Sequence, residues 1–180
     1  MRPLTEEESK AVIEKLTKYI GRNISKLVDR EDEPFVFRLH RDRVYYVKES
    51  LARKAENIPR DSLISLGACF GKFTKSGKFR LHVTALDYLS LLAKHRVWVK
   101  QSAEMSYLYG NHVLKSHMSK MSDDVPEHEG IVVMNMSELP LGFAVSAKSA
   151  AGCASLDPLG IACFHQSDVG EYLRDEDSLI

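Results

Sequence analysis

Tyr107-Leu108-Tyr109-Gly110-Asn111-His112-Val113-Leu114-Lys115 decides how this chain is read. It follows a strand-like Val97-Trp98-Val99, and its lone glycine sits between aromatic and β-branched residues. At such a place the backbone turns sharply or lies close to a partner. Residues 103–108 predict a short helix before the turn and residues 111–115 an extended segment after it. Residues 130–136 (Gly-Ile-Val-Val-Met-Asn-Met) read as a strong strand and 142–145 as another; 161–165 and 172–173 supply later short strands. Residues 118–129 are charged, with Pro126, and read as a loop; the small, polar 147–154 reads as a loop or a helical turn. Many short strands punctuated by glycine favour a compact barrel.

Upstream the pattern changes. Thr5 followed three residues later by Glu8 is a capping box, and Val12, Ile13, Leu16, Tyr19 and Ile20 recur at helical spacing. A helix over about 5–20, stopped by Gly21, follows from this. A shorter helical piece at 24–28 and a polar turn at 29–34 come next. Residues 35–40 and 44–47 read as a hairpin around Arg41-Asp42-Arg43. Ser50 is expected to cap a helix reaching 56. Residues 62–70 and 79–83 are expected to pair around Thr74-Lys75-Ser76-Gly77-Lys78. Thr84 is expected to cap a helix with Leu86, Leu89, Leu91 and Leu92 on its apolar side. The expected fold is therefore α+β: an N-terminal α+β domain with an antiparallel sheet over 1–94, a β-barrel over 95–173, and an acidic tail over 174–180 whose charged residues 174–177 are expected to fray.

The net charge of the 180 residues is zero, yet residues 1–95 hold 19 Lys and Arg against 13 Asp and Glu, while residues 96–180 hold 6 against 12. A +6 half joined to a −6 half suggests one face for a polyanion and another for a basic partner, or simply two soluble surfaces. The three cysteines form no C-x-x-C, so a disulfide framework is not expected and a reducing compartment fits better. No apolar leader precedes the first helix, and no window reaches the roughly 18 apolar residues a membrane span needs.

No catalytic constellation stands out. Gly67-Ala68-Cys69-Phe70-Gly71-Lys72-Phe73 has one residue too few between its glycines for a phosphate loop, and Phe follows the lysine where Ser or Thr would hold Mg²⁺. There is no G-x-S-x-G elbow. Cys163 and His165, two apart in a strand, share a face but read as packing. The seven histidines are scattered, so no metal site and no cofactor is expected. The acidic residues at 123, 124, 127 and 129 read as a solvated loop.

Nucleic-acid contact has better support. Arg38, His40, Arg41, Arg43 and Lys48 crowd one hairpin, and Lys72, Lys75, Lys78 and Arg80 the other, with Tyr45, Tyr46, Phe73 and Phe79 interleaved. Lys and Arg neutralise phosphates and aromatics stack bases; the competing reading is a charged sheet edge that resists aggregation. In the second half Lys100, Lys115, Lys120 and Lys148 supply charge near the glycine turns. The Gly110 backbone is suited to approach phosphate or ribose, and Asn111 and His112 to read base edges or a 2′-hydroxyl. Tyr107 and Tyr109 read equally as core or stacking platforms, and Trp98 as core.

The order of residues 107–115, 130–136, 141–145 and 160–173 resembles a PUA domain, a small β-barrel that binds structured RNA. The start Met1-Arg2-Pro3-Leu4-Thr5-Glu6-Glu7-Glu8, the segment Leu66-Gly67-Ala68-Cys69-Phe70-Gly71-Lys72-Phe73-Thr74 and the glycine turn together resemble the nuclear-import-protein-seven family of 60S ribosomal subunit biogenesis factors. The resemblance implies a nucleolar, nuclear protein without enzymatic activity, a monomer outside the particle, that joins pre-60S particles and pre-rRNA and supports pre-rRNA processing. It also implies links to a nucleolar RNA-recognition-motif protein, an FtsJ-like methyltransferase and a DEAD-box helicase. RNA would be held by the PUA half and partners by the first half. With that PUA half at −6, however, its own affinity for RNA should be weak. An adaptor whose acidic half docks a basic partner is the alternative; an RNA-modifying enzyme lacks a catalytic domain here.

Overall fold

Thr5 Oγ1 accepts the Glu8 N–H while the Glu8 carboxylate accepts the Thr5 N–H at 2.8 Å, so the first helix, α1 (Glu6–Ile20), starts at its capping box. The computed structural model describes residues 1–179. Before α1 lies β1 (Arg2–Pro3); after it come a 3-10 turn at Gly21–Ile24 and α2 (Ser25–Val28). Then follow β2 (Phe35–His40), β3 (Arg43–Lys48), α3 (Glu49–Ala55), β4 (Ala68–Phe73), β5 (Phe79–Leu81) and α4 (Leu86–Leu92). The five strands form one antiparallel sheet in the order β1-β2-β3-β4-β5. Its inner face carries Val44, Tyr46, Phe70, Phe79 and Leu81 against Val12, Leu16, Tyr19, Leu86 and Leu89 of α1 and α4. The β2–β3 hairpin turns on two residues, Arg41 and Asp42, both at positive φ, and Arg43 belongs to the strand rather than to the turn.

The second half contains β6 (Arg96–Val99), α5 (Gln101–Leu108), β7 (Val113–Leu114), β8 (Met118–Met121), β9 (Gly130–Met134), β10 (Pro140–Ser146), α6 (Ala150–Ala154), β11 (Ile161–Asp168), α7 (Glu171–Arg174) and α8 (Glu176–Leu179). The sheet order is β7-β11-β10-β9-β6-β8, antiparallel except for β6 beside β9. Its two edges, β7 and β8, are joined only by the 3-10 turn Lys115–His117, so the sheet must curl until the edges approach. A nearly closed barrel results.

β9 explains why its sequence reads as an unbroken apolar run. Ile131 and Val133 face the barrel interior with Val97, Val99 and Tyr107, while Val132 and Met134 face the core of the first half. The two halves therefore share a core. Tyr19 meets Phe143 edge-on at 5.3 Å between ring centroids, and the Lys94 N–H donates to the Tyr19 carbonyl at 2.9 Å.

Several local expectations are corrected. The strand expected at 62–70 is confined to β4; residues 62–67 instead cover the outer face of the sheet, where Leu63 is buried and its carbonyl accepts His40 Nε2–H at 2.8 Å. Ser50 lies inside α3, which starts at Glu49 without a side-chain cap. Thr84 sits in a 3-10 turn and donates to the Cys69 carbonyl instead of capping α4. Leu91 is 79% exposed. Residues 118–121, expected as loop, form the edge strand β8, and residues 172–173, expected as strand, lie in helix α7.

Candidate nucleic-acid interface

The cations of the first half are placed by strand register. Arg43 pairs with Lys72 and Lys72 with Arg80, so three neighbouring strands set one row of positive residues across the outer face. Lys75 and Lys78 extend it along the exposed 74–78 turn, which Gly77 permits with φ +75°. Arg38 lies on the same face but opposite Tyr45, and Arg41 leaves the row to donate to the Asp61 carbonyl at 3.3 Å. Three of the four interleaved aromatics are too buried to stack on a base, and the half-buried Phe73 packs against Phe79 at 5.3 Å between ring centroids. Tyr46 is buried among Phe35, Phe37, Phe70 and Tyr88 and donates to the Leu27 carbonyl at 2.7 Å; Tyr45 and Phe79 are buried too.

His82 lies just past β5 and is buried with its Nδ1 unpartnered. Burial, reinforced by Lys72 and Arg43, pushes its pKa down to about 4. It stays neutral beneath the basic row.

The second half scatters its candidates. Gly110 adopts φ +88°, and a Cβ there would meet open space; Tyr109 beside it is 68% exposed. Asn111 donates to the Ser106 carbonyl at 3.0 Å, and the exposed His112 accepts the His165 N–H at 3.1 Å. Tyr107 is core: it is buried, and its hydroxyl donates to the Phe143 carbonyl at 3.0 Å. The lysines are largely engaged. Lys148 pairs with Glu127 at 3.2 Å, and Lys100 Nζ donates to the Ser116 carbonyl at 2.8 Å. Lys120 lies 4.0 Å above the Trp98 ring, whose Nε1–H donates to Glu138 at 2.9 Å. Trp98 is thus half-buried: it packs against the core of the first half and offers its other side to Lys120 and Glu138 at the surface. Lys115 is half-buried beside α6 and makes no ion pair among the described residues. The four lysines do not converge on the glycine turn.

One constellation carries no sequence signal because only the fold assembles it. Asp168 is fully buried, 2.6 Å from His165 Nε2 and 2.9 Å from Arg174 Nη2, and it accepts the Gly170 N–H at 2.7 Å. Burial alone would raise its pKa, but the bonds from His165 and Arg174 outweigh that and hold it below the usual carboxylate value. Arg174 also donates to the Leu108 carbonyl, so α7 is latched to the end of α5, next to the glycine turn. Glu171 accepts from Ser167 Oγ and the Asp168 N–H. His165, Asp168 and Glu171 offer metal-ligand types within 4.8 Å, but their oxygens already serve protein donors. Cys163 is buried, and burial pushes its thiol up to about 12, which removes thiolate reactivity.

The chain is matched by two family models: "NIP7/UPF0113, pre-PUA domain" over residues 1–83 and "UPF0113 PUA domain" over residues 95–177. It is 61% identical over 179 residues to the 60S ribosome subunit biogenesis protein NIP7 homolog of Xenopus tropicalis, covering 99% of both chains. It is 59% identical, with the same coverage, to the Saccharomyces cerevisiae protein NIP7. Among solved structures, a PUA-domain protein from Aeropyrum pernix K1 aligns with TM-score 0.63 at 14% identity, over 99% of this chain and 90% of that one. A conserved PUA-domain protein from Thermoplasma acidophilum aligns with TM-score 0.57 at 15% identity, over 96% and 95%. At such low identity these two likenesses speak to fold alone. With both halves matched by family models and relatives near 60% identity along the whole length, the chain belongs to the NIP7 family of 60S ribosome subunit biogenesis proteins.

Proposed function

We propose that the chain acts, without turnover, as an RNA-contacting assembly factor of large-subunit precursors in the nucleus and nucleolus, and that it supports pre-rRNA processing. The observation that carries the reading is the full-length match to proteins named for 60S biogenesis, on a fold whose second half is a PUA barrel. The cations support a division of labour. Lys72, Lys75, Lys78 and Arg80 are exposed on the first half and supply charge for phosphate, whereas most lysines of the barrel are engaged by protein groups. Gly110, Asn111 and His112 then recognise shape and backbone position at an open turn. The nucleolar RNA-recognition-motif protein, the FtsJ-like methyltransferase and the DEAD-box helicase implied by the family resemblance are the partners proposed for the assembled particle. Tagged chain should co-sediment with pre-60S particles, and its depletion should lower free 60S relative to 40S subunits. Sedimentation only as free protein, with subunit ratios unchanged on depletion, would overturn the reading.

A second reading has its own observation. Asp123, Asp124 and Glu127 are exposed in the loop between β8 and β9, and Lys148 only partly balances them. An adaptor that docks a basic protein through this loop would lose particle association on charge reversal at 123, 124, 127 and 129 while keeping its RNA affinity. Association unchanged by that reversal would exclude it.

A further inference from the structure

Where α1, the edge strand β5 and the β10–β11 pair meet, a cleft of about 450 Å³ opens at the junction of the two halves. That is within the size range of ligand sites. Lys15, Lys78 and Arg80 line it, with Gln166 on the opposite side. Lys15 lies one helical turn from Tyr19, so both face the same way. Gln166 reaches the cleft through a β-bulge: Ala144 pairs with His165 but Phe143 pairs with Ser167, which leaves Gln166 as the extra residue. Bulges re-aim a side chain out of its ladder and recur beside binding sites.

Three features mark this as a site for an anion. Among the described residues no carboxylate pairs with Lys15, Lys78 or Arg80. Lys15 is half-buried, and that burial together with Lys18 and Arg80 holds its ammonium below the ordinary lysine pKa. A partly desolvated lysine with other cations beside it is relieved by a bound negative charge. Tyr19 also lines the cleft, 1% exposed, and its hydroxyl is buried without a hydrogen-bond partner. Its donor is unused in a place where nearly every buried polar group is paired.

The ligand's character follows from what the cleft lacks as well. Phe79 and Phe143 form its floor but are only 7% and 2% exposed, too covered for a base to stack. The cleft continues into the exposed 74–78 turn with Lys75 and, across the strand, Lys72. A long polyanion fits this track better than a single small anion does. We propose that the junction cleft holds the phosphodiester backbone of a single-stranded RNA segment, with Lys15, Lys78 and Arg80 on its phosphates and the Tyr19 hydroxyl as a neutral donor; Gln166 Nε2 donates one N–H to the His165 carbonyl at 3.0 Å and keeps its second for the ligand. This rests on the RNA-contacting reading above and gives that contact a place. Binding there reads the backbone and is indifferent to sequence.

The test uses the full chain, unstructured oligouridylate as the probe, and affinity measured across a salt series. Three variants are compared: Lys15→Gln/Lys78→Gln/Arg80→Gln; a charge-matched control at exposed sites outside the cleft, Lys26→Gln/Lys54→Gln/Arg60→Gln; and Tyr19→Phe. Each single-strand phosphate contact contributes about 0.7 to the slope of log affinity against log salt. The cleft triple should therefore lose about two from the slope and at least about tenfold in affinity at low salt, while the control keeps the parent slope. Tyr19→Phe should weaken RNA binding with no loss of thermal stability. Equal losses in both triples, or none in either, would overturn the cleft while leaving RNA binding itself in place. Parent protein that binds no oligouridylate would overturn the RNA-contacting reading and the cleft with it. Inorganic phosphate or poly-glutamate that binds the parent and not the cleft triple, while RNA binds both alike, would reassign the cleft to a free anion or to an acidic protein.

Discussion

Gly110 and Gly130 show two different reasons for a glycine. Gly110 needs its left-handed φ of +88°, and nothing crowds it. Gly110→Ala should therefore cost only about 1 kcal/mol, the conformational strain. At Gly130 a Cβ would lie 2.7 Å from Tyr19 Cδ1 at the junction of the halves, so Gly130→Ala should cost about 3 kcal/mol through forced repacking. Urea midpoints of the two variants separate the cases. His82 makes a pH prediction. Its folded pKa near 4 lies below the ordinary 6.5, so the unfolded chain binds the proton first. Stability from this group is full above pH 6.5 and is lost as pH falls toward about 4. In His82→Leu the pH dependence of stability over that window should flatten, leaving the smaller contribution of His95, also lowered by burial. The sequence shows the Thr5/Glu8 box because its chemistry is local. It hides the neutral His82, which is made by burial beneath residues that other strands bring.

At the scale of elements, the latch between α7 and β11 is the least legible feature and the most testable. Two apolar residues, Tyr172 and Leu173, carry no period that separates strand from helix, and both are exposed in α7. What fixes α7 is Arg174 on Asp168, six residues apart, and on the Leu108 carbonyl in α5. Arg174→Ala leaves the buried Asp168 with His165 as its one remaining side-chain partner and should cost about 3 kcal/mol, with faster amide exchange in α7 and in the 109–112 turn. Exchange unchanged at the turn would mean the latch does not hold it. β8 escaped the sequence for a related reason: it is an edge strand whose two central residues, Ser119 and Lys120, face solvent, so it reads as polar loop. β9 was plain because it is buried on both faces. The basic hairpin of β4 and β5 was legible as charge, but the row it makes with β3 depends on register across a bulge that composition does not reveal.

For the molecule as a whole, the shared core decides how the halves behave. Val132, Met134 and Phe143 of the barrel sit in one cluster with Val12, Leu16 and Tyr19 of the first half. The chain should therefore unfold in one transition, and residues 1–94 alone should lack the cooperative melt of the full chain. Two separate calorimetric peaks would contradict a common core. The charge division between the halves, visible in the sequence, survives folding as a basic outer face on the first sheet and an acidic loop on the barrel. The junction cleft was not visible, since its lysines, arginine, tyrosine and glutamine lie far apart along the chain. Where RNA touches the protein in cells is the decisive observation. Ultraviolet crosslinking, with both the RNA and the crosslinked peptides sequenced, should recover large-subunit precursor RNA on peptides spanning residues 15–19 and 72–82. Crosslinks to no precursor RNA, or only to peptides of residues 96–170, would contradict it.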